Sequence, residues 1–233
     1  SAGDVNGDGF DDLVIGASSG SATASYAGQT YVVFGRAGGF ASALALSSLN
    51  GANGFRLDGI DASDASGISV SNAGDMNGDG FDDLIIGADS GDAGGLQSGE
   101  SYVVFGMSSG FPSSINLSAL NGSNGFRLNG IDPHDRCGYS VSSAGDVNGD
   151  GFDDVIIDSP GEVYSSPGTT GESYIVFGKS SGFASALDLS SLDGSNGFRL
   201  DRIDERDSSG RAVSSAGDLN GDGFDDVIIG ADF

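Results

Sequence analysis

The 233-residue chain has no tryptophan, one cysteine, one histidine and only nine basic side chains. The single Cys137 excludes an internal disulfide. It leaves the compartment open, because a bound cation can staple a secreted domain in place of a disulfide. Nine Lys and Arg against 34 Asp and Glu give a net charge of −25, which argues against nucleic acid or an anionic membrane as partner, since both attract basic surfaces. No stretch approaches the roughly 20 apolar residues that a membrane-crossing helix needs. No secretory leader is visible and Ser1 falls inside a repeated segment, so the chain reads as a processed or trimmed piece.

What abounds is glycine, 42 residues of it, without a collagen period. Such a composition means either disorder or a β protein dense in turns. The apolar residues, 37% of the chain, come in short β-branched and aromatic runs, which favours strands separated by turns.

The segment Ser-Ala-Gly-Asp-Val-Asn-Gly-Asp-Gly-Phe-Asp-Asp opens the chain, and close copies begin at Asn72, Ser143 and Ser215. Their first aspartates, Asp4, Asp75, Asp146 and Asp218, are separated by 71, 71 and 72 residues. The extra residue lies between Ile157 and Tyr174, because each of Tyr31, Tyr102 and Tyr174 stands 44 residues before the next loop aspartate. A constant frame with one variable loop is the mark of a stacked structural unit.

Each unit reads as four strands: one before the acidic loop (67–71), one after it (84–87), a third (101–106) and, beyond a linker of about 20 residues, a fourth (125–131). The linker over 113–120 has room for one helical turn and is expected to cross the blade and cover an edge. Four antiparallel strands per repeat predict an all-β fold of β-propeller blades. The expected divisions are blade strands within 1–60, full blades at about 61–131 and 132–203, and a partial blade at 204–233. About three blades' worth of strands does not close a ring of four to eight, so either further chain or self-association is expected to complete it.

The acidic loop, Asp-x-Asn-x-Asp-Gly-Phe-Asp-Asp, places oxygen donors at positions 1, 3, 5 and 9 and a main-chain carbonyl at position 7. The ligand sets so predicted are Asp4, Asn6, Asp8, Phe10 and Asp12; Asp75, Asn77, Asp79, Phe81 and Asp83; Asp146, Asn148, Asp150, Phe152 and Asp154; and Asp218, Asn220, Asp222, Phe224 and Asp226. An all-oxygen set suits Ca2+, about one ion per loop and four in all, and disfavours zinc or copper. Gly9 at position 6 permits the sharp turn. Three carboxylates around one point repel without a cation, so an empty loop should loosen. Position 12 is Ile15, Ile86, Ile157 or Ile229, inside an apolar run, which rules out an EF-hand and disfavours a dockerin.

This loop, followed by Leu84-Ile85-Ile86-Gly87-Ala88 and then Tyr102-Val103-Val104-Phe105-Gly106, resembles the FG-GAP repeat of integrin α-subunit propellers and their bacterial relatives. The resemblance covers nearly the whole chain. It implies that the loop joins the first and second strands of a blade, that a complete propeller has seven blades, and that the protein is extracellular or at the cell surface and binds proteins or glycans. The third copy departs from the pattern with Asp158-Ser159-Pro160, which puts its local turn in question but not its metal ligands.

Other repeated residues have structural readings. Ile-Asp-x-x-Asp (Ile60, Asp61, Asp64; Ile131, Asp132, Asp135; Ile203, Asp204, Asp207) reads as an inter-blade turn whose aspartates cap backbone amides, in preference to a second cation site. Arg56, Arg127 and Arg199 are expected to meet acidic groups. Glu100 and Glu172 read as a blade position, not a glycosidase pair. His134 has no catalytic partners, and Cys137 stands where other copies have Ser66 and Ser209. No cofactor-binding or catalytic motif is present, so no enzyme is expected. Recognition is expected in the loops after the second strand (18–29, 89–99 and 159–171), where copies differ and Tyr26, Leu96, Gln97, Tyr164 and Pro167 occur. The expected function is adhesion or scaffolding; the alternatives are a lectin-like propeller, for which a chain without Trp is poorly equipped, and an accessory propeller of a secreted enzyme.

Overall fold

The computed structural model describes residues 1–161, 171–202 and 208–232. The first copy of the repeat contributes β1 (Leu13–Ala17), β2 (Gln29–Val33) and β3 (Gly54–Asp58). The second contributes β4 (Ser69–Gly74), β5 (Asp83–Ala88), β6 (Glu100–Val104), β7 (Ser114–Asn116) and β8 (Gly125–Asn129). The third contributes β9 (Val141–Gly145), β10 (Asp154–Ser159), β11 (Glu172–Val176), β12 (Ala186–Asp188) and β13 (Gly197–Asp201), and the fourth β14 (Ser208–Gly217) and β15 (Asp226–Asp232). These strands form four mostly antiparallel sheets, as expected for blades of a partial β-propeller. Among the described residues no helix is long and apolar enough to cross a membrane.

The complete second blade shows why the sequence folds this way. β4, β5, β6 and β8 pair in chain order, each antiparallel to the next. Alternate side chains of β5 point to opposite faces, and both faces are covered. Leu84 and Ile86 pack with Val32, Phe55 and Leu57 of the first blade. Ile85 packs with Val155 and Ile157 of the third. Hence β5 reads as an unbroken apolar run, Leu-Ile-Ile-Gly-Ala, and is buried throughout.

The expected elements are all present, with shifted limits. The first strand begins two residues later than 67 and runs to Gly74, directly into the acidic loop. The fourth ends at Asn129, not 131, because the chain turns there toward the next blade. The third copy's Asp158 and Ser159 stay within β10, so that departure leaves the strand intact. The linker does hold one helical turn, of 3-10 type, at Leu117–Ala119. The edge it covers belongs to the preceding blade: β7 pairs in parallel with β3, and β12 likewise with β8. Phe111 of the same linker stacks on Phe55 with ring centroids 4.4 Å apart, and Phe183 stacks on Phe126 at the same separation. The linkers of the second and third copies therefore clasp the blade before them.

Candidate metal centre

In the second, third and fourth copies the acidic loop bridges the first and second strands of a blade. In the second copy Gly80 turns the chain with φ of +89°. That turn aims consecutive amides at side-chain oxygens. Asp79 N–H donates to Asp75 Oδ1 (3.0 Å) and to Asn77 Oδ1 (2.8 Å), Gly80 N–H to Asp75 Oδ2 (2.8 Å), and Phe81 N–H to Asp79 Oδ1 (3.0 Å). Positions 1, 3 and 5 are thereby wound around one turn. The same bonds recur about Asp4, Asn6 and Asp8, about Asp146, Asn148 and Asp150, and about Asp218, Asn220 and Asp222. No loop hydrogen bond among the described residues ends on the carbonyls of Phe10, Phe81, Phe152 or Phe224.

Position 9 has a second role that the spacing did not reveal. The buried carboxylate of Asp83 accepts Met76 N–H (3.0 Å) and Gly106 N–H (2.9 Å), tying the loop to the end of β6. Asp12 does the same with Val5 (3.1 Å) and Gly35 (2.7 Å), and Asp154 with Val147 (3.1 Å) and Gly178 (2.9 Å). Asp226 accepts Leu219 N–H at 2.9 Å. Burial, with repulsion from positions 5 and 1 of the same loop, pushes Asp12 up to about 6, Asp83 to about 8 and Asp154 to about 7, although the two amides pull the other way.

This donor set fits a hard divalent cation. It is all oxygen, its carboxylates repel one another, and a carboxylate that accepts two amides keeps lone pairs for a metal. Among the described residues no three acidic, histidine or cysteine side chains gather around one point as a ready metal site. Positions 1, 3, 5 and 9 with the position-7 carbonyl would hold the ion, whose chemistry is to neutralise the carboxylates and pin the two strands.

Successive loops also hold one another. The position-8 carboxylate of Asp82 accepts the N–H of Asp4, the first residue of the preceding loop, and Asp153 and Asp225 accept those of Asp75 and Asp146. The position-7 rings lie over position 4 of the preceding loop: a Cβ on Gly7, Gly78 or Gly149 would come within 3.0 Å of Phe81, Phe152 or Phe224. Sequence reasoning missed both, though the signal was there, since all four copies carry Phe-Asp at positions 7 and 8.

Away from the loops, the inter-blade turns are as expected. Asp64 accepts Asp61 N–H (3.2 Å) and Asp135 accepts Asp132 N–H (3.1 Å); the third such turn, Ile203, Asp204 and Asp207, lies outside the described residues. The arginines meet acids of their own blade: Arg56 with Asp58, Arg127 with Glu100, and Arg199 with Glu172 and Asp201. Tyr102 and Tyr174 donate to Glu100 and Glu172, which fixes both glutamates as recurring blade positions. Cys137 is buried beside Gly99 as Ser66 is beside Gly28, and burial raises its thiol well above the usual value. His134 Nδ1 contacts Gln97 Oε1 at 3.3 Å. Of the variable loops, 18–29 and 89–99 expose Tyr26 and Leu96; Tyr164 and Pro167 lie outside the described residues.

The chain is similar in sequence to known proteins. Integrin alpha-4 of Xenopus laevis is 31% identical over 165 residues, 68% of this chain and 14% of that protein. Integrin alpha-V of Gallus gallus is 30% identical over 172 residues, 71% of this chain and 14% of that protein. The chain thus spans about one seventh of the length of these curated relatives. The FG-GAP repeat model matches residues 1–33, 66–104, 138–176 and 209–233, each match taking in an acidic loop and its flanking strands. The chain belongs to the FG-GAP repeat family, and its sheets are blades of the integrin α-type β-propeller kind.

Proposed function

We propose that this chain is a calcium-stabilised stretch of a β-propeller that works outside the cell in adhesion or scaffolding, binding a protein partner and catalysing no reaction. The observation that carries the calcium reading is the fourfold winding of Asp, Asn and Asp oxygens around one glycine turn, backed by a position-9 carboxylate that joins loop to sheet. The predicted ligands are those of the sequence reading in all four loops, one ion each. Calcium in such a loop cancels repulsion between three carboxylates and so favours the folded state. Similarity to integrin α-chains supports protein recognition and an extracellular setting. The loops 18–29 and 89–99, with exposed Tyr26 and Leu96, are the proposed contact surface. Further blades, from a longer chain or from a second copy, are proposed to cover the exposed faces of the first and last sheets.

The test is thermal unfolding in millimolar calcium and in chelator, paired with mass measurement in solution. Calcium at about 100 times its dissociation constant should add about 2.7 kcal/mol per site. A midpoint that chelation leaves in place would overturn the calcium reading.

A further inference from the structure

The position-8 aspartates lie outside the ligand set of their own loops, yet those of the second, third and fourth loops each grip the loop one repeat earlier. Asp82 Oδ2 accepts Asp4 N–H at 2.7 Å, Asp153 Oδ2 accepts Asp75 N–H at 2.8 Å, and Asp225 Oδ2 accepts Asp146 N–H at 2.9 Å. The main chain returns the contact, with Asp82 N–H donating to Asp4 O (3.3 Å), Asp153 N–H to Asp75 O (3.4 Å) and Asp225 N–H to Asp146 O (3.1 Å). Among the described residues no carboxylate accepts Asp218 N–H, and a Cβ on Gly217 or Gly221 would meet nothing within 4 Å. At the corresponding Gly74 and Gly78 it would meet Asp153 and Phe152.

We propose that Asp82, Asp153 and Asp225 are positioning residues for the cation site one repeat before their own, so that calcium fills the loops as a coupled series. This rests on the reading of the loops as calcium sites. The first ligand turns its carboxylate inward in all four copies, so the hold acts by restricting the freedom of its main chain. A charged acceptor on its N–H supplies that hold in advance, and an interaction made before binding lowers the cost of ordering. A cation in the following loop steadies the strand end that carries the position-8 aspartate, and coupling of this kind is reciprocal.

The experiment is a calcium titration of the full 15N-labelled chain by NMR, reading the amides of Gly9, Gly80, Gly151 and Gly223, which occupy position 6 of each loop. Asp82→Ala should raise the Gly9 midpoint about tenfold, as expected for loss of one charge-assisted hydrogen bond, with a smaller rise at Gly80 and none at Gly151. Asp225→Ala should act in the same way on Gly151, which keeps the test alive if one variant fails to fold. Asp11→Ala, whose carboxylate grips no loop among the described residues, should leave every midpoint within about twofold. A Gly9 midpoint unmoved by Asp82→Ala, or moved as far by Asp11→Ala, overturns the coupling while leaving calcium binding intact. Glycine signals that ignore calcium in the parent chain overturn the calcium reading itself.

Discussion

Gly87 of the second blade faces the carbonyl oxygen of Gly138 in the third so closely that a Cβ on Gly87 would fall within 3.0 Å of it. Gly16 and Gly67 stand in the same relation between the first and second blades. The main chains of neighbouring blades touch here with no side chain between them, and the apolar faces of the sheets close on either side. The third copy carries Asp158 where the first two have Gly16 and Gly87.

Gly87→Ala should cost about 2 kcal/mol, because backbone, not a mobile side chain, must give way. Gly110→Ala is the comparison: its φ of +92° disfavours a side chain, but a Cβ there meets nothing, so about 1 kcal/mol is expected. Urea unfolding in calcium buffer measures both. A Gly87 variant as stable as the Gly110 variant would mean that the blades part freely at this point.

Asp79 and Asp83 belong to one predicted ligand set but should respond differently to chelator. Asp83→Ala strands the buried amides of Met76 and Gly106 and should lower stability by about 2–4 kcal/mol even without calcium. Asp79 is exposed, so Asp79→Ala should cost less than about 1 kcal/mol in chelator and show its main effect only when calcium is added. Urea unfolding with and without chelator separates the two; equal losses in chelator would deny position 9 its part as a strut.

Asp158 makes stability depend on pH. Its carboxyl is fully buried in β10, accepts Ser173 Oγ–H at 3.0 Å, and is pushed by burial from 3.8 to about 8. A carboxyl whose folded value exceeds its unfolded one favours the fold most at low pH, and that contribution drains away as pH rises from about 4 to about 8. Asp158→Asn keeps an acceptor for Ser173 and removes the ionisation. Relative to the parent, the variant should gain stability steadily across that window and be clearly the more stable at pH 8. A difference between the two that stays constant with pH would show that Asp158 ionises freely.

Phe111 should matter to the blade before its own. It stacks on Phe55, and beside it Ser113 O accepts Arg56 N–H at 3.1 Å where β7 joins β3. Phe111→Ala is expected to cost about 3–4 kcal/mol and to speed hydrogen exchange at the Arg56 amide. Unchanged exchange at Arg56 would place the clasp elsewhere.

Much of this molecule was legible in its repeats. Four copies of one acidic loop announced a recurring turn, and the run Leu84-Ile85-Ile86 announced the strand that follows it. What stayed hidden depends on where one copy meets the next. Asp82 is separated from Asp4 by 78 residues, and no periodicity within one unit says which neighbour its carboxylate grips. The short strand at Ser114–Asn116 was masked as linker, because three residues in parallel pairing leave almost no alternating pattern.

Composition and spacing alone determined the class of fold, the frame of the repeat and the oxygen chemistry of its loops, since these follow from local backbone preferences and the kinds of side chain at hand. Tertiary structure decided what is buried. Leu84 is 1% exposed and its counterpart Leu13 is 53% exposed, although both open the same apolar run just after an acidic loop. The difference is the presence of a sheet packed against Leu84, for hydrophobic burial comes from the surface that a neighbour covers and not from the residue itself.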